Sequence, residues 1–110
     1  MAYDRELAER LRAHLEGEPG LTEQAMFGGL AFLIHGNMAV AAASQGGLLL
    51  RCAPEETDTL CEDPSAEPFV MRNRPMTGWL RIDPSGLGSD TELARWAEVG
   101  LTHARSLPPK

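Results

Sequence analysis

Apolar residues return every four positions at Leu7, Leu11 and Leu15, flanked by Tyr3, Ala8 and His14, and this spacing predicts a helix over about Asp4 to Glu16. Glu6 precedes Arg10 at a helix-favouring i,i+4 spacing. Gly17 supplies the stop and Pro19 blocks a restart. His14 is expected to pack as a structural histidine beside the stripe, with Asp4, Arg5, Glu9, Arg12 and Glu16 on a solvated face.

From Leu21 to Cys52 the rhythm becomes that of strands. Thr22–Phe27, Leu30–Ile34, Met38–Ala43 and Leu48–Cys52 are runs separated by Gly28-Gly29, His35-Gly36-Asn37 and Ser44-Gln45-Gly46-Gly47. Short glycine-bearing turns between such runs predict an antiparallel meander. Pro54 to Cys61 then reads as a short helix with proline near its first position and acids in its first turn. Asp63–Pro68 reads as a loop, Phe69–Arg72 and Trp79–Ile82 as two further strands joined by Asn73–Gly78, and Asp83–Gly88 as another loop.

The last element carries the clearest signature. Ser89 and Glu92 form an S-x-x-E capping box, and Leu93, Trp96, Ala97, Gly100, Leu101 and Ala104 continue a helical stripe towards Leu107, before Pro108-Pro109. The two terminal helices should pack on the sheet and bury Leu7, Leu11, Phe27, Phe32, Leu93, Trp96 and Leu101.

Size and composition refine this picture only modestly. At 110 residues, with no internal repeat or linker, the chain is expected to be a single domain over residues 1–110. Hydrophobic residues at 43% and charged residues at 24% exclude disorder and fibrous classes. No apolar run is long enough for a membrane span, and with no signal peptide a cytoplasmic protein is expected. Cys52 and Cys61 have no CxxC spacing and are expected to be free thiols.

Charge bears on partners. The net charge is −6, which argues against tight binding of nucleic acid by the chain as a whole. Residues 63–82 are the exception, with Arg72, Arg74 and Arg81 against Asp63 and Glu67, and Phe69 and Trp79 interleaved. Such a mixture suits phosphate forks and base stacking, and equally a strand pair with aromatics inside and arginines in water. Arg51 joins these as a candidate anion contact if the fourth strand lies alongside.

Catalytic and metal signatures are weak. His14, His35 and His103 have no neighbouring acid or thiol that suggests a triad, and no HExxH or GxSxG occurs. The acids from Glu55 to Asp63 lack the alternation of a calcium loop and read as a solvated face. Gly28-Gly29 leads into a strand without a GxGxxG pattern, so a turn or bulge is expected. No cofactor, metal or catalytic residue is assigned. A small-molecule or enzymatic cleft beside Gly28-Gly29 stands as a third reading.

Met26-Phe27-Gly28-Gly29, Phe32, Gly36-Asn37-Met38-Ala39 and Leu48-Leu49-Leu50-Arg51 form a recognisable set, followed by Met71, Trp79 and the helix of Trp96. The set resembles the N-terminal domain of the TfoX/Sxy family, bacterial proteins named for regulation of natural competence. The resemblance spans nearly the whole chain. It implies an α+β fold, a curved antiparallel sheet of about six strands packed by N- and C-terminal helices, similar to the YjbR-like fold. It also implies a regulatory role in transcription or competence, through DNA or the transcription machinery. Longer members carry a second, helical C-terminal domain, so this chain is expected to be the N-terminal domain standing alone. Within the motif, Met26, Phe27, Gly28, Gly29, Gly36 and Met38 are expected to be structural. The leading expectation is a small cytoplasmic interaction module with a protein partner. The alternative is direct, weak nucleic-acid binding through Arg72, Arg74 and Arg81.

Overall fold

Asp4 opens the first helix as its cap, its Oδ1 accepting from the backbone N–H of Glu6 and Leu7 at 3.0 and 3.2 Å. The computed structural model describes residues 4–26, 28–43, 46–71 and 73–109, with backbone alone at positions 26, 71 and 75. Helix α1 (Arg5–Leu15) buries Leu7, Ala8, Leu11 and Leu15. His14 is exposed instead of packed, because it lies to the side of that stripe and nothing covers it.

The meander forms as the runs predict: β1 (Leu21–Met26), β2 (Gly29–Ile34), β3 (Asn37–Ala42) and β4 (Leu48–Arg51), each antiparallel to the next. His35 and Gly36 close the β2–β3 hairpin with φ of 50° and 86°. Positive φ at both central residues is the two-residue turn whose twist matches the flanking strands. The register then shifts so that Phe32 faces Val40 while Leu33 faces Met38, leaving Ala39 as an extra residue.

Residues 54–61 do not form one helix. Pro54–Glu56 makes a 3₁₀ turn that passes into a single α-turn, α2 (Thr57–Leu60). Two expected loops are in fact strand. β5 (Ala66–Met71) begins inside the segment read as a loop, and β6 (Arg74–Ile82) takes up most of the segment read as a connection. The prolines explain the difference. Pro68 lies on β5, an edge strand, and Pro75 lies where β6 has only β5 beside it, so neither removes a needed hydrogen bond.

The sheet order is β1-β2-β3-β4-β6-β5, placing β6 between β4 and β5. Helix α3 (Asp90–Ser106) opens at Ser89, whose Oγ accepts from Glu92 N–H at 3.1 Å and donates to Glu92 Oε1 at 3.2 Å. α1 and α3 cover one sheet face. There Leu11, Phe32, Val40, Leu48, Leu50, Leu80, Leu93 and Trp96 form the main core, each 0–1% exposed. Leu7 and Leu101 are buried with them, and Phe27 lies outside the described residues.

The opposite face holds a second core, which the terminal-helix picture did not foresee. Ala31, Leu33, Met38, Ala41 and Leu49 are 0–7% exposed there, with Ala43, Phe69 and Trp79 packed against them. Among the described residues no helix is long and apolar enough to cross a membrane.

Candidate interaction surface around Arg51 and Trp79

Alternation along β4 sends Leu48 and Leu50 into the main core, and Leu49 and Arg51 to the second face. Register places Arg51 opposite Trp79 and Leu49 opposite Arg81. The Arg51 guanidinium carbon stands 5.1 Å from the centroid of the Trp79 ring, a cation–π contact. Arg51, Trp79 and Phe69 are all half-buried.

Gly78 positions this pair. Beside it β6 leaves regular pairing: Pro68 faces Leu80 and Phe69 faces Met76, so three residues of β6 span one step of β5. Gly78 takes φ of 85°, which favours glycine. Its carbonyl accepts from Cys52 N–H at 2.9 Å, and its N–H donates to the buried Thr57 Oγ1 at 3.1 Å. Thr57 Oγ1 also lies 3.9 Å from Cys52 Sγ. The residues after Arg51 and before Trp79 are thereby tied together, and the guanidinium is held over the ring.

The arginines singled out from the sequence do not share one environment. Arg51 has no carboxylate within ion-pair distance among the described residues, and its shielded Nε finds no acceptor. Arg81 lies on the same face, where its Nη2 donates to the Gly46 carbonyl at 3.1 Å and its Nη1 stands 3.7 and 3.8 Å from Glu67 and Asp83. Arg74 is exposed at the start of β6, five residues and about 16 Å of strand path from Trp79. Arg72 lies outside the described residues. The structure thus brings Arg51 and Arg81 together, as β4 alongside β6 requires, and separates Arg74 from them.

Four of the family-motif positions, Gly28, Gly29, Gly36 and Met38, are described with their surroundings. Gly28 has φ of 75°. A Cβ on Gly29 would strike the Ala42 carbonyl of β3, so the close approach of the two strands requires glycine there. Gly36 forms the hairpin turn and Met38 belongs to the second core. Phe27 and the Met26 side chain lie outside the described residues.

The titratable groups show few reactive settings. Burial pushes both the Cys52 and Cys61 thiols up, with neighbouring acids adding to the effect, and both cysteines are free. Raised thiols are poor nucleophiles. Burial, and then the charge of Arg51, hold the His103 imidazole below its ordinary range, against the opposite pull of Glu55 and Glu56. Among the described residues no three His, Cys, Asp or Glu side chains converge as a metal site. Glu55, Glu56, Asp58 and Glu62 are all exposed.

Sequence reasoning missed Thr57 and Gly78, because their partnership joins a helical turn to a bulge 21 residues away. It also missed the second core. The available signal was the unbroken apolar character of Leu30–Ile34, Met38–Ala43 and Leu48–Leu50, which marks strands covered on both faces.

No curated protein matches the sequence significantly. The family model of the TfoX N-terminal domain matches residues 13–104, from the last turn of α1 to near the end of α3. That match covers all six strands and the two faces just described. The chain belongs to the TfoX N-terminal domain family.

Proposed function

We propose that this chain is a small cytoplasmic regulatory module, without catalytic activity, that acts in transcription regulation by binding a protein partner. Family membership supports the regulatory role. The observation that carries the reading is the half-buried trio of Arg51, Trp79 and Phe69 at the open part of the second face. Tryptophan and arginine dominate the energetics of protein interfaces, and here a tied backbone holds both in place. The net charge of −6 and the neutralised Arg81 favour a protein partner over a polyphosphate chain.

The test is affinity capture from an extract of the native cell, with and without nuclease. The reading expects a defined protein retained after nuclease treatment and lost with Trp79→Ala. Capture that disappears with nuclease would move the nucleic-acid reading ahead. A partner retained equally by Trp79→Ala would place the contact elsewhere.

A further inference from the structure

Three described arginines are partly buried, and they differ in what answers their charge. Arg10 meets Asp90 at 3.3 Å, and Arg81 meets Glu67, Asp83 and the Gly46 carbonyl. Arg51 has none of these. Its guanidinium carbon lies over the Trp79 ring, 5.1 Å from the centroid, and its Nε is shielded from solvent without an acceptor. Its charge thus meets an aromatic ring and no carboxylate among the described residues, which sets it apart from the other two.

We propose that Arg51, stacked on Trp79, is the seat for an aspartate or glutamate side chain of the partner protein. The inference rests on the reading above that a protein docks on this face, and it names the group that the partner presents. The Trp79 ring covers one side of the guanidinium and Nε is shielded, so a carboxylate from outside meets the Nη1–Nη2 edge, where it makes two parallel hydrogen bonds. Arg51 as a whole is partly exposed, so a group from outside meets it without the fold opening.

The surroundings select a single carboxylate over a polyanion. Glu55 and Glu56 are exposed on the turn that follows β4, four and five residues along the chain from Arg51. A run of phosphates laid across this region would meet both acids, whereas one carboxylate seated on Arg51 need not.

The experiment follows the Nε–H signal of Arg51 by NMR in the ¹⁵N-labelled full chain. The signal is assigned from its loss in Arg51→Lys. The probe is an acetylated, amidated Ala-Gly-Glu-Gly-Ala peptide, which carries one carboxylate, at low salt, with inorganic phosphate and a short DNA duplex in parallel. The expected result is a saturable shift of the Arg51 signal with the peptide, at millimolar or lower concentration. Arg51→Gln should weaken binding at least about tenfold, as loss of a charge-assisted hydrogen bond implies, while Arg74→Gln should leave it unchanged. Because the primary signal is read on the unmutated protein, the result does not depend on a variant folding.

No saturable shift, equal loss in Arg74→Gln, or tighter binding of phosphate or duplex than of peptide would each overturn the carboxylate seat. A partner captured from extract equally well by Arg51→Gln would overturn it too, while leaving the interaction-module reading intact. Absence of any captured protein would overturn that broader reading instead.

Discussion

Gly100, in the middle of α3, lies directly against the Ala39 carbonyl of β3, so close that a Cβ on Gly100 would overlap that oxygen and stand 2.8 Å from Val40 Cγ1. Ala39 is the extra residue of the β2–β3 register shift. The helix seats itself on the sheet where the bulge lifts the strand. Gly100→Ala gains about 1 kcal/mol of helix propensity but forces the helix away from backbone, at a cost of about 1–3 kcal/mol. The expected net is a lower melting temperature, while Thr102→Ala, exposed on the same helix, should shift stability by under about 0.5 kcal/mol. Thermal melts of the two variants decide it, and a Gly100→Ala protein more stable than the parent would contradict the close approach.

Both sheet faces should respond to truncation. Trp96, 1% exposed in the main core, should cost about 3–5 kcal/mol on replacement by Ala. Met38, 5% exposed in the second core, should cost about 2–5 kcal/mol. Urea melts give both values. A loss under about 1 kcal/mol for Met38→Ala would show that the second face is not a core.

How much of this was legible in the sequence follows from how local each signal is. Leu7, Leu11 and Leu15, the Ser89–Glu92 box and the His35-Gly36 turn act within a few residues, and each formed as read. The pattern shortens β5 and β6 because Pro68, Pro75 and Gly78 carry the signature of loop punctuation. Their tolerance depends on which strand lies alongside, a non-local fact. The Arg51–Trp79 pair is half visible: both residues stand out in the sequence, but their facing register joins strands separated by the 3₁₀ turn, α2 and β5. The partner of Gly78 could not be read at all, since a threonine in an acidic turn carries no mark of the strand it will meet.

Acid should loosen the contact between Glu18 and the end of α3. Arg105 donates to both Glu18 oxygens, at 3.0 and 2.6 Å, and this hydrogen bonding holds the Glu18 carboxyl below its usual range. A carboxyl with a depressed folded pKa stabilises the protein above its unfolded value, and that stability is lost as pH falls through the folded value. Arg105→Gln should therefore be less stable than the parent at pH 7. The gap should close as pH falls below the ordinary glutamate range. Urea melts from pH 7 to pH 3 test this, and a gap that stays constant would contradict it.

Binding to random duplex DNA should be weak. Arg81 is already answered by Glu67 and Asp83, and Arg74 stands apart from Arg51. With three or fewer phosphates neutralised, the salt slope should be about −3 or shallower, and affinity no better than about 10⁻⁴ to 10⁻⁶ M at physiological salt. Fluorescence anisotropy over a salt series measures both. Sub-micromolar binding would contradict this estimate.

Phe69 sits beside the Arg51–Trp79 pair on the second face, half-buried and packed on its core. A photoreactive p-benzoylphenylalanine at position 69 keeps an aromatic ring there while reporting what touches that face in the living cell. The same group at position 98, exposed on α3, serves as the control. We expect a discrete, nuclease-resistant cross-linked protein from position 69 and none from position 98. Cross-linking only from position 98, or to nucleic acid from position 69, would contradict a protein-binding role for this face.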